Sequence, residues 1–269
     1  MCCELTGQNY WVTLPFLLFA LLCNYIMTTL LLGLRALFFY AGYALLVIFF
    51  SVTGVLFFSF LPYRIRSNYI FLWNRCTVLW ARIMCGLKFE VIGKENLPKG
   101  QAYVALAKHQ SQWETFFLQY YLAPAKIVLK KELLQMPVFG WGLKLTDPIA
   151  IDRGNPKKAL KDIQQQGVAS IESGISVLIF PEGTRMNPGT AGKYARGGAN
   201  IAVGSGADIV PIAHNAGVFW PADKFLKRPG KITVVIGKPI TSEGKSSREL
   251  NAQAQEWIET EVNKLPQTP

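Results

Sequence analysis

Glu4 and Arg35 are the only charges in the first 61 residues, and that scarcity constrains this chain more than anything else in it. Two apolar runs result, 11–34 and 36–62, the second without any charge. At about 1.5 Å of rise per residue, a helix over either run reaches across a hydrocarbon layer of ~30 Å. A secretory leader would have a basic start, a short apolar stretch and a small-residue cleavage site, and none of these is clear here. Only Gly33-Leu34-Arg35 separates the runs, which is short for a reversal at a membrane surface. A re-entrant hairpin and a single anchor beginning near Met27 both stay open, with 36–62 the better span. Arg64, Arg66, Arg75 and Arg82 follow. Basic residues close behind a span stay on the cytoplasmic side, so the remainder of the chain is expected to face the cytoplasm. Residues 67–87 mix aromatic and aliphatic side chains with two of those arginines, and read equally as an interfacial helix or as an ordinary core-facing one.

The net charge of +11 lies entirely in residues 62–269. A basic body attracts anions: nucleic acid, an anionic membrane surface, or a negatively charged substrate or its carrier. Nucleic acid fits least well, because the basic residues are dispersed and no nucleic-acid motif occurs. Cysteines 2, 3, 23, 76 and 85 have no metal-ligand spacing and suggest no disulfide framework, as suits a reducing cytoplasm. Cys2-Cys3 is a candidate lipidation site, though the bland reading of terminal cysteines is the commoner one.

From residue 89 onward, apolar strand-like runs alternate with amphipathic helical ones. Strands are expected at 102–107, 126–129, 147–152, 176–180, 208–213 and 232–237. Helices are expected at 112–122, 131–145, 155–173, 196–205 and 246–264. Pro137 and Gly140 weaken the second helix, and Ser246 with Glu249 caps the last. The alternation implies an α/β fold, a largely parallel sheet flanked by helices and preceded by an N-terminal membrane-anchoring helical segment. The expected division is 1–87, anchoring and interfacial, and 88–269, catalytic. Ligands of such sheets bind beyond the carboxyl ends of the strands. His109, Arg153 and Arg185 all follow expected strands closely.

Two polar segments carry the chemistry. In His109-Gln110-Ser111-Gln112-Trp113-Glu114, the imidazole and carboxylate stand about 140° apart on a continuous helix, since each residue turns about 100°. They meet only if His109 lies on the turn before the helix and Glu114 within its first turns. The carboxylate then fixes the tautomer and leaves the other ring nitrogen to take a proton. In Phe180-Pro181-Glu182-Gly183-Thr184-Arg185, a guanidinium sits on a tight turn. It can grip a phosphate with two parallel hydrogen bonds. Glu182 orients either the turn or a substrate hydroxyl, and Gly183 permits close backbone approach.

Four blocks in order make the resemblance specific: Lys108-His109-Gln110-Ser111-Gln112-Trp113-Glu114, Ile151-Asp152-Arg153-Gly154, Phe180-Pro181-Glu182-Gly183-Thr184-Arg185 and Ile209-Val210-Pro211-Ile212-Ala213. Over about residues 27–245 the chain resembles the 1-acyl-sn-glycerol-3-phosphate acyltransferases, within the wider glycerolipid acyltransferase group. That family usually has Asp where this chain has Glu114, a carboxylate displaced by about 1.5 Å. The resemblance implies direct acyl transfer with His109 and Glu114 catalytic and no acyl-enzyme. His109 would deprotonate the sn-2 hydroxyl of lysophosphatidic acid for attack on the thioester of acyl-CoA or acyl-carrier protein, giving phosphatidic acid. Arg185, Arg153 and Lys130 would bind the phosphate, with Lys131 a less favoured substitute for Lys130. Glu182, Gly183 and Thr184 would position substrate. No metal or cofactor is expected, the thioester being a co-substrate, and membrane lipid is an expected partner. The expected location is a bacterial inner membrane. Two readings compete: glycerol 3-phosphate or another lysolipid as acceptor, and a catalytically weak lipid-binding homologue.

His214, with no carboxylate near it in sequence, reads as structural. Residues 130–144 read equally as an interfacial wedge and as core. Asn187–Gly192 is rich in turn formers and reads as a mobile loop. Lys224, Lys227, Arg228 and Lys231 read first as a solvated charge run and second as a docking patch for an acidic carrier or a membrane.

Overall fold

The computed structural model describes residues 10–268 except Arg153, with side chains from residue 17 onward, Pro156 and Lys157 excepted. Cys2, Cys3 and Arg153 therefore lie outside the described residues. Both apolar runs join in one helix, α1 (Tyr10–Phe58), which continues through Gly33-Leu34-Arg35. Leu17–Phe58 is apolar and long enough to cross a membrane. The helix has two characters. Leu17, Leu18, Phe19, Leu21, Leu22, Tyr25, Ile26 and Met27 are all exposed, whereas Ala36, Phe39, Phe50 and Ser51 are buried. The hydroxyls of Thr28 and Thr29 are satisfied within the helix, by Asn24 Oδ1 and the Tyr25 carbonyl.

After a short turn, α2 (Tyr63–Cys85) runs back along the second half of α1. The approach is close: a Cβ on Gly42 would lie 2.3 Å from Trp80 Nε1, which donates to the Phe39 carbonyl at 3.1 Å. Any side chain at Gly42 would push the two helices apart. Gly86 ends α2 in the left-handed conformation, φ +69°. The chain then enters β1 (Leu87–Ile92), β2 (Val104–Ala107), α3 (Trp113–Tyr121), β3 (Ala125–Lys130), α4 (Phe139–Lys144), β4 (Ile149–Ile151), α5 (Pro156–Glu172), β5 (Ser176–Ile179), α6 (Gly197–Ser205), β6 (Ile209–His214), α7 (Ala216–Phe219), β7 (Gly230–Ile236) and α8 (Ser247–Lys264).

The strands form one sheet in the order β1-β7-β6-β2-β5-β3-β4, parallel at every pairing except β6 with β7. All residues of β2, β5 and β6 are buried, as expected of strands covered on both faces. Alternate side chains divide between two cores. Ala105 and Ala107 join Phe39, Val78, Ala81 and Phe117 under α1–α3. Val104 and Leu106 join Ala199, Leu250 and Ile258 under α6 and α8. The N-terminal helices thus share a core with the sheet.

Besides the joining of the two apolar runs, the sequence reading differs from the structure at three places. β1 was not among the expected strands; it is an edge strand whose Lys88 and Glu90 alternate with apolar residues. The expected helix 131–145 is divided: Lys131–Gln135 forms a 3-10 turn and α4 starts only at Phe139, because Pro137 lacks the N–H a continuous helix needs. Val138 adopts φ +63° at that break. Lys227 is not solvated: it is buried, with Nζ donating to Tyr40 Oη at 2.6 Å and to the Lys224 and Phe225 carbonyls. Burial lowers its ammonium to about 8. Phe39 against Trp220 and Tyr40 against Phe225 complete this attachment of the 221–229 loop to α1.

Candidate active site

β2, β5, β3 and β4 are parallel neighbours, so their carboxyl ends lie along one edge of the sheet. His109 leaves β2 there, the Phe180–Arg185 turn leaves β5, and Lys130 ends β3 opposite Ile151 of β4. The order of strands therefore gathers segments that lie far apart in sequence.

His109 sits on the turn before α3 and Glu114 in that helix's first turn, the arrangement the five-residue spacing requires. His109 Nδ1 lies 2.9 Å from Glu114 Oε1. The same oxygen accepts the N–H groups of Gln110 and Ser111, at 2.9 and 2.8 Å. Burial pushes the Glu114 carboxyl up, but the His214 and His109 imidazoles and the Ser111 N–H outweigh it, leaving the group below its ordinary value. An ionised carboxylate only accepts, so the His109 proton is on Nδ1 and Nε2 is free to take another. The ring stacks on Phe180, 4.3 Å between centroids. Its side chain is 13% exposed, whereas Glu114 is fully enclosed. The longer arm of Glu114, compared with an aspartate, does not prevent contact with His109.

The second segment is bound directly to the first. Phe180–Gly183 closes a turn through Gly183 N–H to the Phe180 carbonyl, with Gly183 at φ +68°, a conformation that favours glycine. Met186 N–H donates to the His109 carbonyl at 2.8 Å, so Arg185 is one residue from a direct backbone bond to His109. Thr184 and Arg185 are exposed. Among the described residues, Arg185 has no hydrogen-bond or ion-pair partner. Glu182 is different: its side chain is enclosed, with Oε2 accepting His109 N–H and Oε1 accepting Lys108 Nζ and Gly192 N–H. These bonds bind the two segments together and direct both oxygens inward. Lys130 is exposed and only loosely paired with Glu132 at 3.8 Å. Lys131 is paired with Asp152, which makes Lys130 the freer cation.

The sequence reading missed the support beneath the dyad. Lys108 is completely buried and reaches Glu182, the Thr190 carbonyl and Glu259. Only its place after four apolar residues hinted at a buried charge. Glu259 lies on an amphipathic helix 151 residues away, where nothing distinguishes it from solvated glutamates. His214 accepts Ala216 N–H at Nδ1, so its Nε2 carries the proton and donates to the Lys108 carbonyl at 2.7 Å. Burial holds its pKa down despite Glu114 and the Lys108 carbonyl. An open groove of about 680 Å³ near Ile92, Gly237, Gln253 and Trp257 lies beyond the end of β7. β7 runs antiparallel to β6, so this groove is at the other edge of the sheet from His109.

Comparison with known proteins shows the family. The acyltransferase family profile matches residues 88–215, which contain the dyad, the turn and His214. A 1-acyl-sn-glycerol-3-phosphate acyltransferase of Pseudomonas aeruginosa is 48% identical over 202 residues, 74% of this chain and 78% of that one. The chain belongs to the 1-acyl-sn-glycerol-3-phosphate acyltransferase family. A member from Chlamydomonas reinhardtii is 33% identical over 156 residues, 57% of this chain and 47% of the relative. The crystal structure of a 1-acyl-sn-glycerophosphate acyltransferase from Thermotoga maritima shares the fold, with a TM-score of 0.69 and 24% identity, covering 88% of this acyltransferase and 96% of that chain.

Proposed function

We propose that this acyltransferase moves a fatty acyl group from a thioester to the sn-2 hydroxyl of 1-acyl-glycerol 3-phosphate, giving phosphatidic acid. The observation that carries the reading is the His109–Glu114 pair with Arg185 bound one residue from it at the same strand edge. His109 Nε2 takes the hydroxyl proton as the oxygen attacks the thioester carbon. The C–O bond forms, the C–S bond breaks, and the departing thiolate receives the proton from the imidazolium. Glu114 stabilises that imidazolium. Arg185, with Lys130 and Arg153 as further cations, holds the phosphate. Gly183 shapes the turn that presents Thr184 and Arg185, and Glu182 fixes it from behind. The donor is acyl-CoA or acyl-carrier protein, used as a co-substrate without a further cofactor or metal.

The test is purified full-length protein with labelled acyl-CoA or acyl-carrier protein and a panel of acceptors. Lysophosphatidic acid is expected to be acylated in preference to glycerol 3-phosphate and to phosphate-free lysolipids. Equal use of a phosphate-free acceptor would remove the case for the arginine.

The same reading places the chain in a bacterial inner membrane, with membrane lipid as a partner and the catalytic body toward the cytoplasm. At about 1.5 Å per residue the 42-residue apolar part of α1 is ~63 Å long, twice a hydrocarbon layer of ~30 Å. Residues 17–34, and not 36–62 as the sequence suggests, make the better crossing, because they are exposed almost all round, whereas 36–58 are buried along one side. Tyr40, Trp80 and Phe225 then lie near where the crossing leaves the lipid, with Lys224 joined to them through the Lys227 ammonium, an aromatic group suited to headgroups. In cysteine-free protein, Lys224→Cys is expected to react with an impermeant maleimide in inverted vesicles only. Labelling in right-side-out vesicles would reverse the orientation. Deletion of residues 2–34 is expected to let alkaline carbonate release the protein, and retention equal to the full chain would move the crossing elsewhere.

A further inference from the structure

Beneath the proposed site lies a buried charge cluster. The Lys108 ammonium has three hydrogens and three partners: Glu182 Oε1 at 2.7 Å, the Thr190 carbonyl at 2.9 Å and Glu259, at 2.8 Å to Oε1 and 3.1 Å to Oε2. Two carboxylates face one ammonium. Both are otherwise satisfied, Glu182 by His109 N–H and Gly192 N–H, and Glu259 by Tyr194 Oη at 2.8 Å.

These contacts have a shape. Ala195 N–H donates to the Pro181 carbonyl at 2.8 Å, closing Pro181–Ala195 into a loop with adjoining ends. Lys108 occupies its interior and ties its start at Glu182 to its middle at Thr190. Tyr194 ties its end to Glu259, and Asn251 Nδ2 also reaches the Tyr194 carbonyl. Met186 N–H ties it to His109. Arg185 is carried between the Glu182 and Met186 attachments. The turn formers at 187–192 therefore belong to a loop held from inside by a buried ion.

We infer that Glu259 of α8 and Tyr194 are positioning residues for acyl transfer, holding the Pro181–Ala195 loop on Lys108 so that Arg185 stands beside His109. The inference rests on the proposed phosphate role of Arg185. It assigns a function to the C-terminal helix, which contributes no group to the reacting atoms. Each member of such a network is held by partners that are themselves held, so weakening one contact loosens the others. Loss of one outer carboxylate leaves Lys108 paired with Glu182 alone and frees the far end of the loop. The effect belongs to phosphate binding, because the His109–Glu114 contact uses neither Glu259 nor Tyr194.

Glu259→Gln is the decisive variant, since it keeps the shape and an accepting oxygen and removes only charge. Its KM for lysophosphatidic acid is expected to rise about tenfold while kcat changes by less than about threefold, the pattern of lost substrate binding rather than lost chemistry. Glu259→Asp is expected to recover part of the change, and Tyr194→Phe to show a smaller rise in KM. Hydrogen exchange in purified protein supplies a readout independent of activity: amides at 186–194 are expected to exchange faster in Glu259→Gln, with β2 and α3 unchanged. An unchanged KM and unchanged exchange would overturn the inference, as would a fall in kcat at constant KM. A wild-type protein that does not acylate lysophosphatidic acid would instead overturn the proposed function, leaving the exchange comparison to judge the loop.

Discussion

His109→Ala is expected to reduce acyl transfer by about 10²–10⁴ in kcat, the range that a positioned general base supplies. In barrier terms that is roughly 3–5 kcal/mol. The substitution leaves the backbone bonds of residue 109 to Glu182 and Met186 in place, so the fold is expected to survive and circular dichroism to match the parent. KM for lysophosphatidic acid is expected to change little, because the phosphate cations are elsewhere. Glu114→Gln separates the two members of the pair. It keeps the side chain's length but presents at most one neutral acceptor to three N–H donors that now share a carboxylate oxygen. Its rate is expected to fall less than that of His109→Ala, because Nε2 remains available. A histidine variant with full activity would reject the mechanism, whatever the fate of the glutamate.

The dyad was legible in the sequence because its geometry is local. A five-residue spacing meets only across a helix start, and the apolar strand before it and the helical pattern after it are both visible. The alternation of strands and helices was legible for the same reason, since period two and period 3.6 are properties of short windows. What escaped depends on distant packing. β1 became a strand by pairing with β7, whose residues lie more than 130 positions on, and its polar alternates disguise it. The antiparallel setting of β7 beside β6 is likewise a property of the assembled sheet. Lys108 and Lys227 are buried lysines, and a sequence shows a lysine without showing the carboxylates or the tyrosine that will enclose it. α1 was read as two runs because Gly33-Leu34-Arg35 interrupts the hydropathy. Yet a glycine costs a helix interior only about 1 kcal/mol and an arginine almost nothing, so a long helix runs through both.

The largest effect on substrate binding is expected from Arg185→Ala. The guanidinium is exposed, has no partner among the described residues, and is held one residue from the backbone bond that links its turn to His109. Each charged hydrogen bond it gives a phosphate contributes about 1.5–3 kcal/mol, so losing two that act together lowers kcat/KM by roughly 10²–10⁴. The loss is expected mainly in KM, since a phosphate remote from the reacting hydroxyl is bound alike in ground state and transition state. Arg185→Lys tests the geometry: it restores the charge but not the fork, and is expected to recover only part of the affinity. Charge alone would make lysine equivalent, whereas the parallel hydrogen bonds of a planar guanidinium would leave a clear deficit. The acceptor panel sharpens the argument, because a phosphate-free lysolipid should be used equally poorly by parent and Arg185→Ala. If the variant loses activity toward phosphorylated and unphosphorylated acceptors in the same proportion, Arg185 supports the turn rather than the phosphate, and the charge specificity must come from Lys130 or another cation along the strand edge.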